Sequence, residues 1–175
     1  SDWSSDVCSS DLSLSGGLIG CSDEGVKSSG QPSFYRSMAT TDAQLDAKAA
    51  ASMISGYRRN NGLGLVLLDD KLMRMAQEQA RAMASRNRFE HDAAGPFSAR
   101  IKRSGFDAKV AVENIGAGYH TLAEAFSGWR DSPPHRANML NSGVTKMGIA
   151  AVYAPNTKYK VFWALILAAP DDRRG

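Results

Sequence analysis

The chain has only three histidines, and their order raises the question of a shared site. They are His91, His120 and His135, and Glu113 lies between the first and the last of them. Two imidazoles and a carboxylate can coordinate Zn²⁺ or act as general acid and base. Because the sequence has neither an HExxH nor a CxxC pattern, spacing alone leaves two alternatives open. These residues form one His91–Glu113–His135 site, or each has a separate structural role.

The stretch SPPHR places His135 directly after two prolines. Pro133 and Pro134 cannot continue a preceding helix, because the proline ring lacks the N–H donor and clashes with the preceding turn. We therefore expect a helix to end here, and His135 to face back into a cleft that it shares with His91. Ser132 has two interpretations, as a nucleophile beside His135 or as the N-cap of the turn that follows.

Two helices are predicted in the first part of the chain. TDAQ matches a capping box, so the first helix is expected to start after Thr41 and to end near Asn60. The second is expected to be capped by Asp69 or Asp70. Its residues at helical spacing, which we expect to face the core, are Leu72, Met75, Ala76, Gln79, Ala80 and Met83.

Further helical segments are predicted before the two prolines. A short helical turn is expected over residues 96–103, closed by Gly105. Thr121 and Glu124 match a second capping box and predict a helix that extends through Trp129, whose side chain we expect in the core. His120 precedes this cap and is expected to be an exposed turn residue.

The last third of the chain changes to the period of β-strands. TKMGIAAVYAP and KYKVFWALILAAP each suit a strand, the second apolar on both faces, and AVENIGAGY is extended or irregular. Helices followed by antiparallel strands, one of them covered on both faces, predict an α+β fold. We expect a three-layer α/β/α sandwich with a mostly antiparallel central sheet.

Composition excludes several classes of function. The chain has 175 residues, 43% hydrophobic and 22% charged, which is typical of a single globular domain. The net charge of +3 is small and dispersed, and no Lys/Arg cluster lies among stacking aromatics. Nucleic acid is therefore not an expected partner. The sequence has no apolar run of about 18 residues, which is the length that would predict a membrane-spanning helix.

The N-terminal residues differ in character from the rest. Residues 1–12 have neither helical nor strand periodicity, and DWSSDVCSSDL resembles the translation of a common short-read sequencing adapter. We expect them to be an assembly artefact that replaces the true start. The remaining segments are assigned as the remnant of a lipoprotein signal peptide (13–21), a flexible tether (22–40), the folded domain (41–170) and a tail (171–175).

The stretch SLSGGLIGC resembles a bacterial lipobox. Leu18 is the apolar residue at −3, Gly20 is the small residue beside the scissile bond, and the Cys21 thiol would carry the lipid. Acyl chains at ~0.8 kcal/mol per buried CH₂ would then anchor the protein to a membrane. We expect a secreted or periplasmic protein, lipid-anchored to the outer membrane or cell envelope. A Cys8–Cys21 disulfide, or two unused thiols, is the alternative.

Several stretches of the chain, taken in order, resemble one family. These stretches are YRRNNGLGLVLLDDKL, AQEQARAMA, FEHD, VENIGAGY, WRDSPPHRANMLN, MGIAAVY and the apolar final strand. Together they resemble the CAP superfamily (cysteine-rich secretory proteins, antigen 5 and pathogenesis-related proteins), also called the SCP domain, and in particular its bacterial secreted branch. The similarity covers about residues 42–170. The resemblance implies an α/β/α sandwich, in agreement with the fold predicted above.

The resemblance also implies a cleft lined by two histidines and two glutamates, which binds a divalent cation in some members of the family. His91 in FEHD, Glu113 in VENIG and His135 in SPPHR match three of these positions. His91 and His135 are thus candidate ligands for Zn²⁺ or another divalent cation. Ser132 stands at the position of the second glutamate, so the chain has one carboxylate fewer for a metal.

Three functions stay open at this point. The first is a non-enzymatic, extracytoplasmic protein that binds a small or lipidic ligand, or a cell-wall component, in the His/Glu cleft. The second is a hydrolase, either metal-assisted or based on Ser and His. The third is a structural envelope protein with a vestigial site. The missing carboxylate and the lack of an assigned nucleophile favour the first, with His91, Glu113 and His135 as the only candidates for catalysis.

Overall fold

The computed structural model describes residues 30–174. The helices in this range are α1 (Ala47–Asn60), α2 (Asp70–Arg86), α3 (Phe97–Ser104), α4 (Leu122–Asp131) and α5 (Pro133–Met139), with 3₁₀ turns at Ser33–Tyr35 and Asp172–Arg174. The strands are β1 (Leu67–Leu68), β2 (Ala108–Ala117), β3 (Lys146–Ala154) and β4 (Lys160–Pro170). Within this range no helix is both long and apolar enough to cross a membrane.

The sheet is built around β4. The strand order is β1-β3-β4-β2, with β4 antiparallel to both of its neighbours and β1 parallel to β3. Residues Val161 to Ala169 of β4 are all buried, which explains why the sequence of this strand is apolar at consecutive positions. The mostly antiparallel sheet that the sequence predicts is therefore confirmed.

Helices cover both faces of the sheet. Trp163 and Leu165 of β4 pack in a cluster with residues of α1, α4 and α5. Phe162, Ala164 and Ile166, which point the other way, pack in a second cluster with residues of α2. The predicted α/β/α sandwich is confirmed, and its two cores are separated by the sheet.

The predicted starts of α2 and α4 are correct, but that of α1 is wrong. The Asp69 side chain accepts from the first turn of α2, and Thr121 and Glu124 form the capping box of α4. The N-cap of α1 is Asp46, whose Oδ1 accepts from the Ala49 N–H at 2.9 Å. Asp46 also accepts from the Ser33 hydroxyl at 2.7 Å, and this long-range bond has no signature in the local pattern around residue 41.

The folded part also begins earlier than the predicted boundary at residue 41. Met38 is buried in the core, and its N–H donates to the His120 carbonyl at 2.6 Å. Residues 33–40 are therefore packed against the domain rather than part of a flexible tether. The predictions for residues 1–21, which include the lipid site Cys21, and for 22–29 of the tether lie outside the described residues.

The two prolines end one helix and begin the next. Pro133 and Pro134 occupy the first positions of α5, where a missing N–H removes no helical hydrogen bond. Ser132 is the N-cap of α5, as one of its two interpretations proposed, although its side chain makes no capping hydrogen bond.

Close packing of α2 on the sheet depends on Gly148 of β3. A Cβ at this position would lie 2.1 Å from the backbone carbon of Leu72, a separation that forces the helix away from the sheet. We expect Gly148→Ala to lower the free energy of unfolding by about 3 kcal/mol, at the upper end of overpacking costs. Chemical denaturation followed by circular dichroism measures this change.

Gly56 provides the matched control, because it lies inside α1 and a Cβ there would meet nothing within 4 Å. Gly56→Ala should stabilise the protein by about 1 kcal/mol, the helix-propensity difference. Equal effects of the two substitutions would contradict the packing assigned to Gly148.

Candidate functional site

His91 lies in the loop that follows α2, and a buried glutamine holds this loop in place. The Gln79 side chain of α2 is fully buried; it donates to the Glu90 carbonyl at 2.7 Å and accepts from the Ala94 N–H at 3.2 Å. His91 is thus flanked on both sides by residues bonded to one rigid side chain. Gln79 is one of the α2 residues predicted to face the core, and this prediction is correct. Its side chain contributes hydrogen bonds rather than apolar contacts.

Glu113 lies on β2, opposite Ile166 of the central strand, and its side chain is only 3% exposed. Arg100 of α3, with a fully buried side chain, binds this carboxylate through two parallel hydrogen bonds of 2.8 Å each. A buried carboxylate is strongly destabilising unless a cation neutralises it and hydrogen bonds satisfy its oxygens. The bidentate guanidinium does both.

Arg100 also holds the loop that carries His91. Its Nη2 donates to the His91 carbonyl at 2.9 Å, and its Nε donates to the Gly95 carbonyl at 2.9 Å. The guanidinium carbon lies 5.2 Å from the centre of the Phe97 ring, within the range of a cation–π contact. One side chain therefore connects α3, β2 and the loop between α2 and α3.

The His91 ring completes this arrangement. Its Nδ1 lies 2.9 Å from the Glu113 Oε1 atom, while 58% of the side chain remains exposed. A carboxylate that is paired with Arg100 can only accept hydrogen bonds, so Nδ1 must be the donor. In the neutral ring the Nε2 lone pair is then left free, and no described residue hydrogen-bonds Nε2.

His135 is positioned by a pair of asparagines that join α5 to β2. The buried Asn114 side chain donates to the His135 carbonyl at 2.9 Å. Asn138, one turn further along α5, donates to the Asn114 Oδ1 at 2.8 Å and to the Glu113 carbonyl at 3.1 Å. Asn114, a strand residue, thus fixes the helix that carries His135.

The C-terminal end of α5 is held by a second buried arginine. Arg58 of α1 donates to the carbonyls of Met139, Asn141 and Val144, over distances of 2.8 to 3.1 Å. These carbonyls, together with that of Gly64, bind a guanidinium that has no acidic partner among residues 30–174. Burial lowers the pKa of Arg58. Both ends of α5 are therefore fixed, and with them the place of His135.

His135 lies on the helix that Asn114 and Asn138 join to the Glu113 segment of β2. Burial lowers the pKa of the His135 imidazole, and the charge that the His91 ring carries when it is protonated lowers it further. His91 contacts Glu113 directly, and the His135 backbone is bonded to the residue that follows Glu113. His120 is exposed, as the sequence predicts.

The residues do not fit a resident catalytic metal. Three of the about four lone-pair sites of Glu113 are used by Arg100 and His91, and the side chain is only 3% exposed, so little of the carboxylate is open to a cation. Two imidazoles remain, whereas catalytic zinc sites have three protein ligands. In residues 30–174 no group of three or more His, Cys, Asp or Glu side chains is placed to hold a metal ion. Metal binding by His91 and His135 stays a prediction.

Arg100 is the functional residue that the sequence analysis misses. The segment FSARIKRSG contains three basic residues, which taken together suggest a solvated helix face. The signal that distinguishes Arg100 is helical spacing, because it lies three residues after Phe97 and one before Ile101, both of which pack on the core. An arginine on an apolar face requires an acidic or carbonyl partner.

The arrangement presents hydrogen-bonding groups at the surface. The charges of Arg100 and Glu113 cancel, the His91 ring is exposed, and His135 is partly buried. Among the described residues, neither ring hydrogen-bonds a hydroxyl or thiol.

A family model matches most of the domain. Residues 51–167 match the model of the cysteine-rich secretory protein family, CAP. The chain is also 31% identical over 108 residues to the uncharacterised protein YkwD of Bacillus subtilis strain 168. That match covers 60% of this chain and 42% of the relative, so the chain spans less than half of the curated protein's length.

Solved structures show the same fold. An extracellular protein of Bacillus anthracis that contains an SCP domain has a TM-score of 0.61 at 25% identity, over 69% of this chain and 39% of that one. An outer surface protein of Borrelia burgdorferi has a TM-score of 0.63 at 21% identity, over 72% of this chain and 93% of that one. At this identity the second likeness shows the fold alone.

The lowered pKa of His135 predicts a pH dependence of stability. The unfolded ring titrates near 6.5 and the folded ring below it, so the unfolded state binds more protons as the pH falls. The contribution of the His135 ring to the free energy of unfolding is complete above pH 6.5, and it is lost as the pH falls toward the pKa of the folded ring. Denaturation between about pH 8 and about pH 5 should show the free energy of unfolding decreasing over this window.

The substitution His135→Gln should reduce this acid-side decrease, because glutamine does not titrate. His120→Gln, at an exposed position, is the matched control and should leave the pH profile unchanged. If His135→Gln and His120→Gln give the same profile as the unsubstituted protein, the burial assigned to the His135 ring is wrong.

Proposed function

Since the chain belongs to the cysteine-rich secretory protein (CAP) family, in its bacterial branch, we propose that it is a non-enzymatic binding protein of the cell envelope. Its ligand lies against the imidazoles of His91 and His135. The observation that carries this proposal is the arrangement at Glu113. Its charge is neutralised internally by Arg100, and its hydrogen bond to His91 leaves the Nε2 atom of that ring directed away from the carboxylate.

The chemistry of the site favours one kind of ligand. A neutral His91 ring that donates through Nδ1 accepts hydrogen bonds at Nε2, so it suits ligands with hydroxyl or amide donors. The half-buried His135 ring lies near it and offers a second polar edge on an apolar body. A polar wall component, or the polar part of a lipid, therefore fits the site better than an acyl chain alone.

An envelope location is part of the same proposal. The lipobox at Leu18–Cys21 supplies the anchor, and residues 22–29 connect it to the folded domain. The similar Bacillus anthracis protein is described as extracellular. This description belongs to that protein, and it supports a location outside the cytoplasm for this one.

A hydrolase is the second candidate, and one observation favours it. The Glu113 carboxylate orients the His91 ring through Nδ1, which is how an acid–base histidine is held in hydrolases of the Ser-His-Asp type. Against it, Ser132 lies at the N-cap position of α5, and in the described part of the chain its side chain makes no hydrogen bond to either imidazole. The binding experiment below separates the two candidates.

The full chain should sediment with purified peptidoglycan, and His91→Ala/His135→Ala should weaken this binding. Two lost hydrogen bonds at about 1 kcal/mol each correspond to a ~30-fold lower affinity. The measurement is a co-sedimentation titration with sacculi, alongside phospholipid vesicles without wall material. His120→Ala removes an imidazole outside the site and is the matched control, expected to bind as the unsubstituted chain does.

The outcomes of this experiment are distinct. No sedimentation with sacculi, or equal affinity for the double variant and the unsubstituted chain, would contradict the proposed binding. Release of soluble wall fragments that His91→Ala abolishes would favour the hydrolase. Sedimentation with vesicles, but not with sacculi, that the His91→Ala/His135→Ala variant loses would assign the ligand to the lipid.

The anchor is tested separately. For this test a host lipoprotein signal start replaces residues 1–12, which are expected to have replaced the true start. In a bacterial host that carries out lipoprotein processing, this chain with its lipobox should incorporate a labelled fatty acid and fractionate with membranes. Cys21→Ser should abolish the label, because serine has no thiol to acylate, and should release the protein into the soluble fraction. Ser22→Ala, next to the lipid site, is the matched control and should retain the label. Labelling of the Cys21→Ser variant would contradict the lipid site.

A further inference from the structure

The buried pair of Arg100 and Glu113 has a consequence for what the site can bind. The guanidinium engages both carboxylate oxygens at 2.8 Å, and neither side chain is more than 3% exposed. In a metal site, a carboxylate of this kind would bind the cation through those same oxygens. Here the positive charge is already present, and it belongs to the protein.

We propose that Arg100 is the resident cation of this site and a positioning residue for His91. It holds Glu113 as an acceptor and thereby fixes the neutral His91 ring in the form that carries its proton on Nδ1. This inference goes beyond the binding function proposed above, and it stands whether or not the ligand is a wall component.

Three contacts make Arg100 suited to this role. Besides Glu113, the guanidinium binds the carbonyl of His91 itself and that of Gly95, so it fixes the backbone that carries the ring as well as the ring's partner. The distance from Glu113 Oε1 to His91 Nδ1 is then set by one rigid, planar group. A lysine at this position could neutralise the carboxylate but could not make both of its parallel hydrogen bonds.

The same contacts argue against a metal that Glu113 would coordinate. A divalent cation within bonding distance of this carboxylate would lie beside the guanidinium, and two cations would then share one negative charge in a buried setting. Removing Arg100 to admit the metal would leave the His91 and Gly95 carbonyls without their donor. Glu113 therefore cannot bind Arg100 and a metal ion at the same time.

The tautomer of His91 can be read by nitrogen NMR on the full chain, uniformly labelled with ¹⁵N, at mildly alkaline pH where imidazoles are neutral. The expected spectrum of the unsubstituted chain shows the His91 proton on Nδ1. Arg100→Met should shift His91 to a mixture of the two tautomers. Glu113→Gln, nearly identical in shape, should do the same, because an amide can donate as well as accept. Arg100→Lys should partly restore the Nδ1–H form.

Arg58→Met is the matched control for loss of a buried arginine. Arg58 is as buried as Arg100 and also donates to backbone carbonyls, but no acidic side chain in the described part of the chain pairs with it. Arg58→Met should destabilise the protein and leave the His91 tautomer unchanged. If Arg100→Met does not fold, Glu113→Gln and Arg100→Lys still decide the question.

Titration with Zn²⁺ alone, followed by calorimetry, tests the second half of the proposal. The proposal states that Glu113 does not coordinate Zn²⁺. It is supported if the chain shows no saturable binding in the micromolar range, or if Glu113→Gln leaves the binding unchanged. Zn²⁺ binding by the unsubstituted chain that Glu113→Gln abolishes would overturn the proposal. So would a His91 ring that carries its proton on Nε2, or a tautomer that responds equally to Arg100→Met and Arg58→Met.

Discussion

A carboxylate with almost no exposed surface must be neutralised where it lies, and in this protein the Arg100 guanidinium does so for Glu113. The pair joins a short helix to a strand next to the central one, and the same guanidinium reaches the loop between α2 and α3. The place of the His91 ring follows from it, because the ring's only hydrogen bond to the described residues is to Glu113. Without the pair, the loop would lose its main polar connection to the sheet.

Other buried polar side chains of the α/β/α sandwich hold α5 against β2 at Glu113 and Asn114. Asn114, on the strand position after Glu113, binds the backbone of α5 at His135, and Arg58 binds the carbonyls that follow the helix. In residues 30–174 every buried side-chain polar atom has at least one hydrogen-bond partner. A polar network of this kind specifies one arrangement of helix, strand and loop, because any other arrangement leaves a buried group unsatisfied.

Much of this could be predicted from the sequence, and the exceptions share a physical cause. The stripe of α2, the capping box at Thr121 and the apolar β4 were predicted because each is a local, periodic signal. The start of α1, the burial of Met38 and the partner of Arg100 depend on contacts between segments far apart in the chain. Such contacts leave no periodic trace, and the resemblance to the family points to histidines and glutamates rather than to an arginine.

The central claim is that Arg100 and Glu113 act as one unit, and a double-mutant cycle on the free energy of unfolding tests it most directly. The cycle compares the unsubstituted chain with Arg100→Met, Glu113→Gln and their combination. Each single change should cost about 3–5 kcal/mol, because it leaves a buried partner uncompensated. The combined change should cost less than their sum by about 2–3 kcal/mol. Costs that add to within about 0.5 kcal/mol would show that the two side chains do not depend on each other, and would contradict the account.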